Sequence, residues 1–238
     1  MSIISEKPAI PGYTLPVFAC ASAVAALKHL HQESLSPSAT VSINLLEPAK
    51  IVEIPIEQVA KISSNQALAI TRSDPGNNLD LTRNTPIWAL VEVNKCEVVS
   101  TAESAQITLQ GGEGIGRQLS GKGETAIYSY AQQLLRSNLQ RLLLPQESVT
   151  VTIILPEGRR LAQRTSNAAF GVVEGLSLLG TTGIAQPLST PGQLELYLQE
   201  LVTKASQGST LVFCLGENGL DLAPEYLLSL DEVELTTI

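Results

Sequence analysis

An α+β chain in two parts is what this sequence predicts, and three observations predict it. Before Pro187, short stretches of strand-type alternation are interleaved with only two helical periodicities. Pro187 to Gly192 is a turn-rich junction. Beyond it, an amphipathic helical stretch runs into an all-apolar pentad, the β-α-β grammar of a parallel sheet. We expect residues 1–187 to form an α+β domain of mixed sheet and helices. Residues 188–238 should form part of an α/β, Rossmann-like domain, because about 50 residues with two strands bury too little to stand alone.

Taken in order, Gly12-Tyr13-Thr14 leads into a helix from Phe18 to Gln32, rich in alanine and apolar on most of its circumference until Lys28, so it should be buried and closely approached. Ser34 to Thr40 reads as a loop. Val41, Ile43 and Leu45 alternate with polar residues as a half-buried strand does, and Ile51 to Ile56 is its antiparallel partner. Ala67 to Thr71 is another strand, running into the polar turn Ser73 to Asp80 with its two carboxylates. Ile87 to Val93, Glu97 to Ser100 and Gln106 to Leu109 are three more strands. Ile127, Tyr130, Ala131, Leu134, Leu135 and Leu142 recur at helical spacing, with Pro145 closing the helix, and Val149, Val151 and Ile153 form a strand that ends at Pro156. In the second part Thr190, Pro191 and Gln193 make a capping-box start, and Leu194, Leu198, Leu201, Val202 and Ala205 give one apolar face before Gly208. Leu211 to Leu215 and Val233 to Thr237 read as strands, with a helical turn at Pro224 to Ser229.

Composition narrows the function classes. The 238 residues are 44% apolar and 16% charged, with a net charge of -8 and a pI near 4.8. That balance describes a globular chain and argues against a nucleic-acid partner, which needs a basic face. Cys20, Cys96 and Cys214 are scattered and odd in number, as reduced cytoplasmic thiols are. His29 and His31 are two apart on a helix and diverge around it, so neither a protein-bound metal nor a histidine triad is expected. The apolar run Leu15 to Leu27 is too short to span a bilayer, and Glu6, Pro11, Gly12 and Pro16 spoil a signal peptide, so neither a membrane nor a targeting signal is expected.

Three stretches carry the chemistry. Gly111-Gly112-Glu113-Gly114-Ile115-Gly116-Arg117 is either a plain turn or a loop whose bare amides face a polar ligand, with Arg117 beside it. Gly171 to Ile184 is an apolar, strand-like run punctuated by glycines. Its Gly180, Thr181, Thr182 and Gly183 read either as a ligand rim or as a bulge and tight turn. Arg159, Arg160 and Arg164 are three of the chain's 15 basic residues in one short run, either a solvated face or a docking site for carboxylates, which arginine's fork suits.

With these stretches in hand, the chain resembles the CbiD family, the cobalt-precorrin-5B C-1 methyltransferases of anaerobic cobalamin biosynthesis. The resemblance rests on GGEGIGR at Gly111 to Arg117, GETAI at Gly123 to Ile127 and GLSLLGTTGIAQPLS at Gly175 to Ser189, in the family's order. Asp80-Leu81-Thr82 and Leu161 to Asn167 match more weakly. It implies methyl transfer from S-adenosyl-L-methionine to a cobalt-bearing corrin precursor, giving cobalt-precorrin-6A. It also implies a first domain resembling a rearranged ribosomal-S5-like fold, followed by a parallel α/β domain. On that resemblance Gly111, Gly112, Gly114, Gly116, Gly180, Thr181, Thr182 and Gly183 are candidates for holding the donor. Arg117, Arg159, Arg160, Arg164 and Asp80 are candidates for the polycarboxylate substrate, and Glu113 for a base or a donor contact. The chain departs from the family at Leu15-Pro16-Val17-Phe18, at Tyr128, where asparagine is usual, at Glu174, where glycine is usual, and in ending at Ile238 before the family's later motifs.

Two rivals stand beside the methyltransferase. A Rossmann-type nucleotide enzyme is disfavoured because no helix follows Arg117 and the G-x-G-x-x-G spacing is not met. A non-catalytic relative that binds tetrapyrrole or donor, or one part of a split enzyme, is the other. The apolar pentad and the β-rich end lead us to expect weak or no activity from the chain alone, and association with another copy or a separately encoded C-terminal partner. We also expect valine at Gly114 to abolish ligand binding while leaving the fold largely intact.

Overall fold

The computed structural model describes residues 10–31, 39–76, 80–95, 107–119, 123–168 and 171–185, with 198, 201–203 and 205–206. Two compact units divide at Gln186 and Pro187. In the second, the described residues from Leu198 to Ser206 are helical, at the expected place. The strands read at Leu211 to Leu215 and Val233 to Thr237 lie outside the described residues, as do the helical turn at Pro224, the strand at Glu97 to Ser100, Cys96 and Cys214.

The first unit is built on α1 (Leu15–Leu30), whose residues Pro16 to Leu27 are all buried. Pro16 sits in the first turn, where a missing N–H costs nothing. The helix lies on a five-stranded mixed sheet of β4 (Gln58–Lys61), β5 (Gln66–Arg72), β6 (Pro86–Lys95), β9 (Glu147–Ile154) and β7 (Ile107–Gly111), in that order. The sheet is antiparallel except for the β7–β9 pair. Alternation sets the buried face: Ala67, Ala69 and Thr71 of β5 register with Val91, Ala89 and Ile87 of β6, and Ala89 and Val91 register with Ile153 and Val151 of β9. Small residues on the sheet meet small residues on α1, so the two backbones approach closely. That explains an alanine-rich helix that reads as apolar all round.

Where two backbones come this close, a polar pair is buried with them. Ser22 of α1 contacts the Thr71 hydroxyl at 3.0 Å and donates to the Ile87 carbonyl at 3.0 Å, while Thr71 donates to the Phe18 carbonyl at 3.0 Å. All the buried oxygens therefore have partners. The ribbon β2 (Thr40–Asn44) and β3 (Ile51–Pro55) pairs antiparallel, as its alternation predicts. β4 was not legible, because Gln58 to Lys61 shows no clean alternation and is only half-buried.

α2 (Ser129–Gln140) packs on α1 and buries Tyr130, Ala131, Leu134, Leu135 and Leu139. Asn138 on the same face donates to the Asn44 carbonyl and accepts from its N–H, pinning β2 to the helix. The residue that begins α2, Tyr128, is extended (φ -82°, ψ 171°) and supplies no side-chain cap. Tyr128→Asn should therefore supply the missing acceptor and raise stability by about 1 kcal/mol, read as an increase in Tm; an unchanged or lower Tm would show the amide finds no helix N–H.

Tyr130 closes the contact between α2 and β2, donating to the Leu45 carbonyl at 2.8 Å. Burial pushes its phenol up to about 12, with Cys20 and Glu47 adding to the effect. An ordinary tyrosine ionises near pH 10, so the fold keeps a proton that the unfolded chain has lost. Tyr130 thus contributes stability that is complete below about pH 10 and falls as the pH rises from there to about 12. Phenolate absorbance should show one late-titrating tyrosine that is missing in Tyr130→Phe; an unchanged titration in that variant would refute the assignment.

Candidate functional site

Three sequence motifs separated along the chain meet in one backbone lattice. β8 (Arg117–Gln118) pairs antiparallel with β10 (Val172–Val173), placing Arg117 opposite Val173. Beyond β10 the chain bends at Glu174 and Gly175 and then makes parallel bridges from Leu176 to Ile115 and from Leu178 to Ile127. Leu176 donates to the Gly114 carbonyl and accepts from Gly116, while Leu178 donates to Ala126 and accepts from Tyr128. The same segment ends in β11 (Ile184–Ala185), which pairs with β1 (Gly12–Tyr13). Residues 172–185 therefore tie the glycine cluster, the Gly123–Ile127 segment and the lead-in to α1 together. The strand-like reading of this run is corrected in detail: its pairing is confined to two-residue strands and single bridges, because bends at residues 174–175 and 181–183 interrupt it.

The glycines of the cluster serve backbone contact. A Cβ at Gly114, where φ is +76°, would lie 1.8 Å from the Leu155 carbonyl oxygen, and one at Gly158 or Gly175 would lie 2.1 or 2.3 Å from the Gly114 oxygen. Three chain segments cross at that point. The expectation of bare amides facing a ligand fails for Gly112, Gly116 and Gly183, whose N–H groups donate to Ile153, Leu176 and Glu47. Valine at Gly114 would likewise not spare the fold, contrary to the sequence expectation, since it meets backbone that cannot move aside. At Gly111 and Gly112 an added Cβ would press on the side chains of Ile115 and Ile154.

Side chains that remain exposed outline the candidate site. Glu113 is exposed at the tip of the cluster, its carbonyl accepting from Leu155. Arg117 donates to the Gly123 carbonyl at 3.1 Å, and its Nε lies 3.7 Å from the Glu174 carboxylate. Arg159, on the short helix α3 (Gly158–Ala162), lines a cleft of about 450 Å³ with Ala162, Gln163, Val172, Glu174 and Gly175. Glu174 thus pairs with Arg117 and shares a cleft with Arg159. Arg160 turns to Glu157 at 2.6 Å, and Arg164 is exposed; neither lines the cleft. Asp80 holds its own turn, accepting from the Thr82 N–H and hydroxyl at 2.7 Å, so its carboxylate is already engaged.

At the other end of the segment, Thr14 Oγ1 donates to the Thr182 carbonyl at 3.1 Å and Thr182 Oγ1 to the Ile184 carbonyl at 3.2 Å. Thr181 is exposed between them, and a Cβ at Gly180 would meet nothing nearer than 3.5 Å, so Gly180, unlike the glycine cluster and Gly183, is not crowded by its neighbours. Sequence reasoning missed the hydrogen-bonded partnership of Thr14 with Thr182 and the turning of Glu174 onto Arg117. Neither leaves a local pattern. His31 makes a structural contact, 3.0 Å from Glu147.

Comparison with known proteins places this lattice. A sequence model of the family CbiD matches residues 4–187. A cobalt-precorrin-5B C(1)-methyltransferase from Nostoc sp. is 65% identical over 212 residues, covering 89% of this chain and 55% of that protein. One of the same name from Synechocystis sp. is 57% identical over 225 residues, covering 94% of this chain and 57% of that one. The chain thus spans about half the length of the curated relatives it matches. The crystal structure of the cobalamin biosynthesis protein CbiD from Archaeoglobus fulgidus superposes with a TM-score of 0.56 at 25% identity, covering 80% of this chain and 59% of that one.

Proposed function

The chain belongs to the CbiD family, and from that premise we propose that it serves the S-adenosyl-L-methionine-dependent methylation of cobalt-precorrin-5B at C-1, giving cobalt-precorrin-6A. The observation that carries this reading is its likeness to the Nostoc and Synechocystis proteins named for that reaction. The first unit is read as a rearranged ribosomal-S5-like fold, residues 188–238 as part of a parallel α/β domain, and the setting as the cytoplasm.

When bound, S-adenosyl-L-methionine supplies an electrophilic methyl group on sulfur. Transfer from it is an in-line displacement, so the protein's task is to hold donor and acceptor in line and away from water. For the donor, the uncrowded Gly180 and the exposed Thr181, with Thr182, fit a polar ligand, whereas Gly112, Gly116 and Gly183 have their amides bonded within the fold. For the substrate's carboxylates, Arg117 and Arg159 are assigned, the first paired with Glu174 and the second lining the cleft that Glu174 also lines. Glu113, exposed in the glycine cluster, is read as a base or as a contact to the donor. Cobalt arrives inside the substrate, and the described residues include no cluster of metal-ligating side chains.

Incubating the purified chain with cobalt-precorrin-5B and S-adenosyl-L-methionine carrying an isotopically labelled methyl group tests the reading. A single labelled methyl carbon on C-1 is the expected product. Calorimetry run in parallel should show that the chain binds each compound. Absence of both transfer and binding would overturn the proposal.

A further inference from the structure

Glu174 is the least economical residue in the cleft. Its backbone lies at φ +66°, a left-handed conformation that a side chain with a Cβ adopts at a cost. It directly follows Val173, the register partner of Arg117, and its carboxylate turns back to within 3.7 Å of the Arg117 Nε. Both side chains are more than half exposed, at 52% and 62%, so the pair adds little to stability. The same residue lines the cleft with Arg159. One protein carboxylate is therefore paired with Arg117 and lines the same cleft as Arg159, in the position a carboxylate ligand would take.

We infer that Glu174 is a specificity-determining residue, an internal carboxylate that competes with the substrate's own carboxylates for Arg117. This rests on the reading of Arg117 and Arg159 as the carboxylate-binding pair. A ligand that replaces Glu174 must present a carboxylate with better geometry than an exposed, single-contact glutamate, and a second acidic group for Arg159. Ligands with several carboxylates displace it; monoanions do not. The penalty falls on every anion that takes Arg117, but a polycarboxylated tetrapyrrole has a second carboxylate for Arg159 and still binds, whereas a simple acid with Arg117 alone is left too weak to occupy the cleft.

Uroporphyrin, a porphyrin bearing carboxylates around its whole rim, is the probe, followed by absorbance on the full chain. Glu174→Gln should bind it about 2- to 5-fold more tightly than the natural sequence, the worth of an exposed pair. Glu174→Gly should gain at least as much. The gain should vanish in an Arg117→Ala background and shrink at high salt, where the pair is screened. Binding by the natural chain that is unchanged or weaker in Glu174→Gln would overturn the competition while leaving the carboxylate site standing. A gain in Glu174→Gly alone would assign the effect to backbone strain and also overturn it. Failure of all the proteins to bind uroporphyrin would instead remove the carboxylate reading of the cleft and this inference with it.

Discussion

Gly114→Val should unfold the first unit or lower its stability by several kcal/mol, about 3 or more, well beyond an ordinary surface change. Two costs add. Gly114 has φ +76°, which a β-branched residue adopts only at a cost, and its Cβ would be driven to 1.8 Å from the Leu155 carbonyl oxygen. Relief by movement is blocked on both sides. Leu155 donates to the Glu113 carbonyl, Gly158 donates to the Leu155 carbonyl, and Gly175 lies against the Gly114 oxygen. Shifting any one segment breaks hydrogen bonds in the other two. Gly123→Val is the control, because that glycine also has positive φ (+77°) but its Cβ would meet nothing within 4 Å. It should cost only the conformational part, about 1–2 kcal/mol. Thermal unfolding of the two variants separates the terms. Equal, small losses in both would show that the glycine crossing is not close-packed.

The contrast between those glycines also marks what a sequence can disclose. Alternation at Val41, Ile43 and Leu45, and again at Val149, Val151 and Ile153, gave the correct strands because burial on one face imposes a period of two. The alanine-rich helix was legible as buried for the same kind of reason. The glycine cluster was legible only as unusual. Glycine signals either a ligand approaching the backbone or another stretch of backbone doing so, and the composition of the loop is identical in the two cases. What decides here is Gly158 and Gly175, far away in sequence, which meet Gly114 in the fold. In the basic run, Arg159 and Arg160 are adjacent and look equivalent, yet one lines the cleft and the other turns to Glu157, a separation set by the helical turn. Arg117, singled out by its motif, is set by its register opposite Val173 and its pair with Glu174 against two residues that line the cleft.

That placement makes Arg117→Ala the most informative functional variant. The carboxylates of a tetrapyrrole substrate bear the same charge before and during methyl transfer to ring carbon. An arginine that holds them therefore contributes equally to ground state and transition state, and its loss should appear in KM. A charge-assisted hydrogen bond is worth about 1.5–3 kcal/mol, so Arg117→Ala should raise KM for the corrin precursor roughly 10- to 100-fold with kcat nearly unchanged. Arg117→Lys should recover only part of that loss, keeping the charge without the planar fork. The fold should be indifferent: the pairing of Arg117 with Val173 is made by backbone, and its ion pair with Glu174 is exposed, so Tm should move little in either variant. Steady-state kinetics in an assay that supports turnover, with Tm measured on the same preparations, decides the matter. A fall in kcat at constant KM would place Arg117 at the reacting centre, and an unchanged KM would remove it from the substrate site.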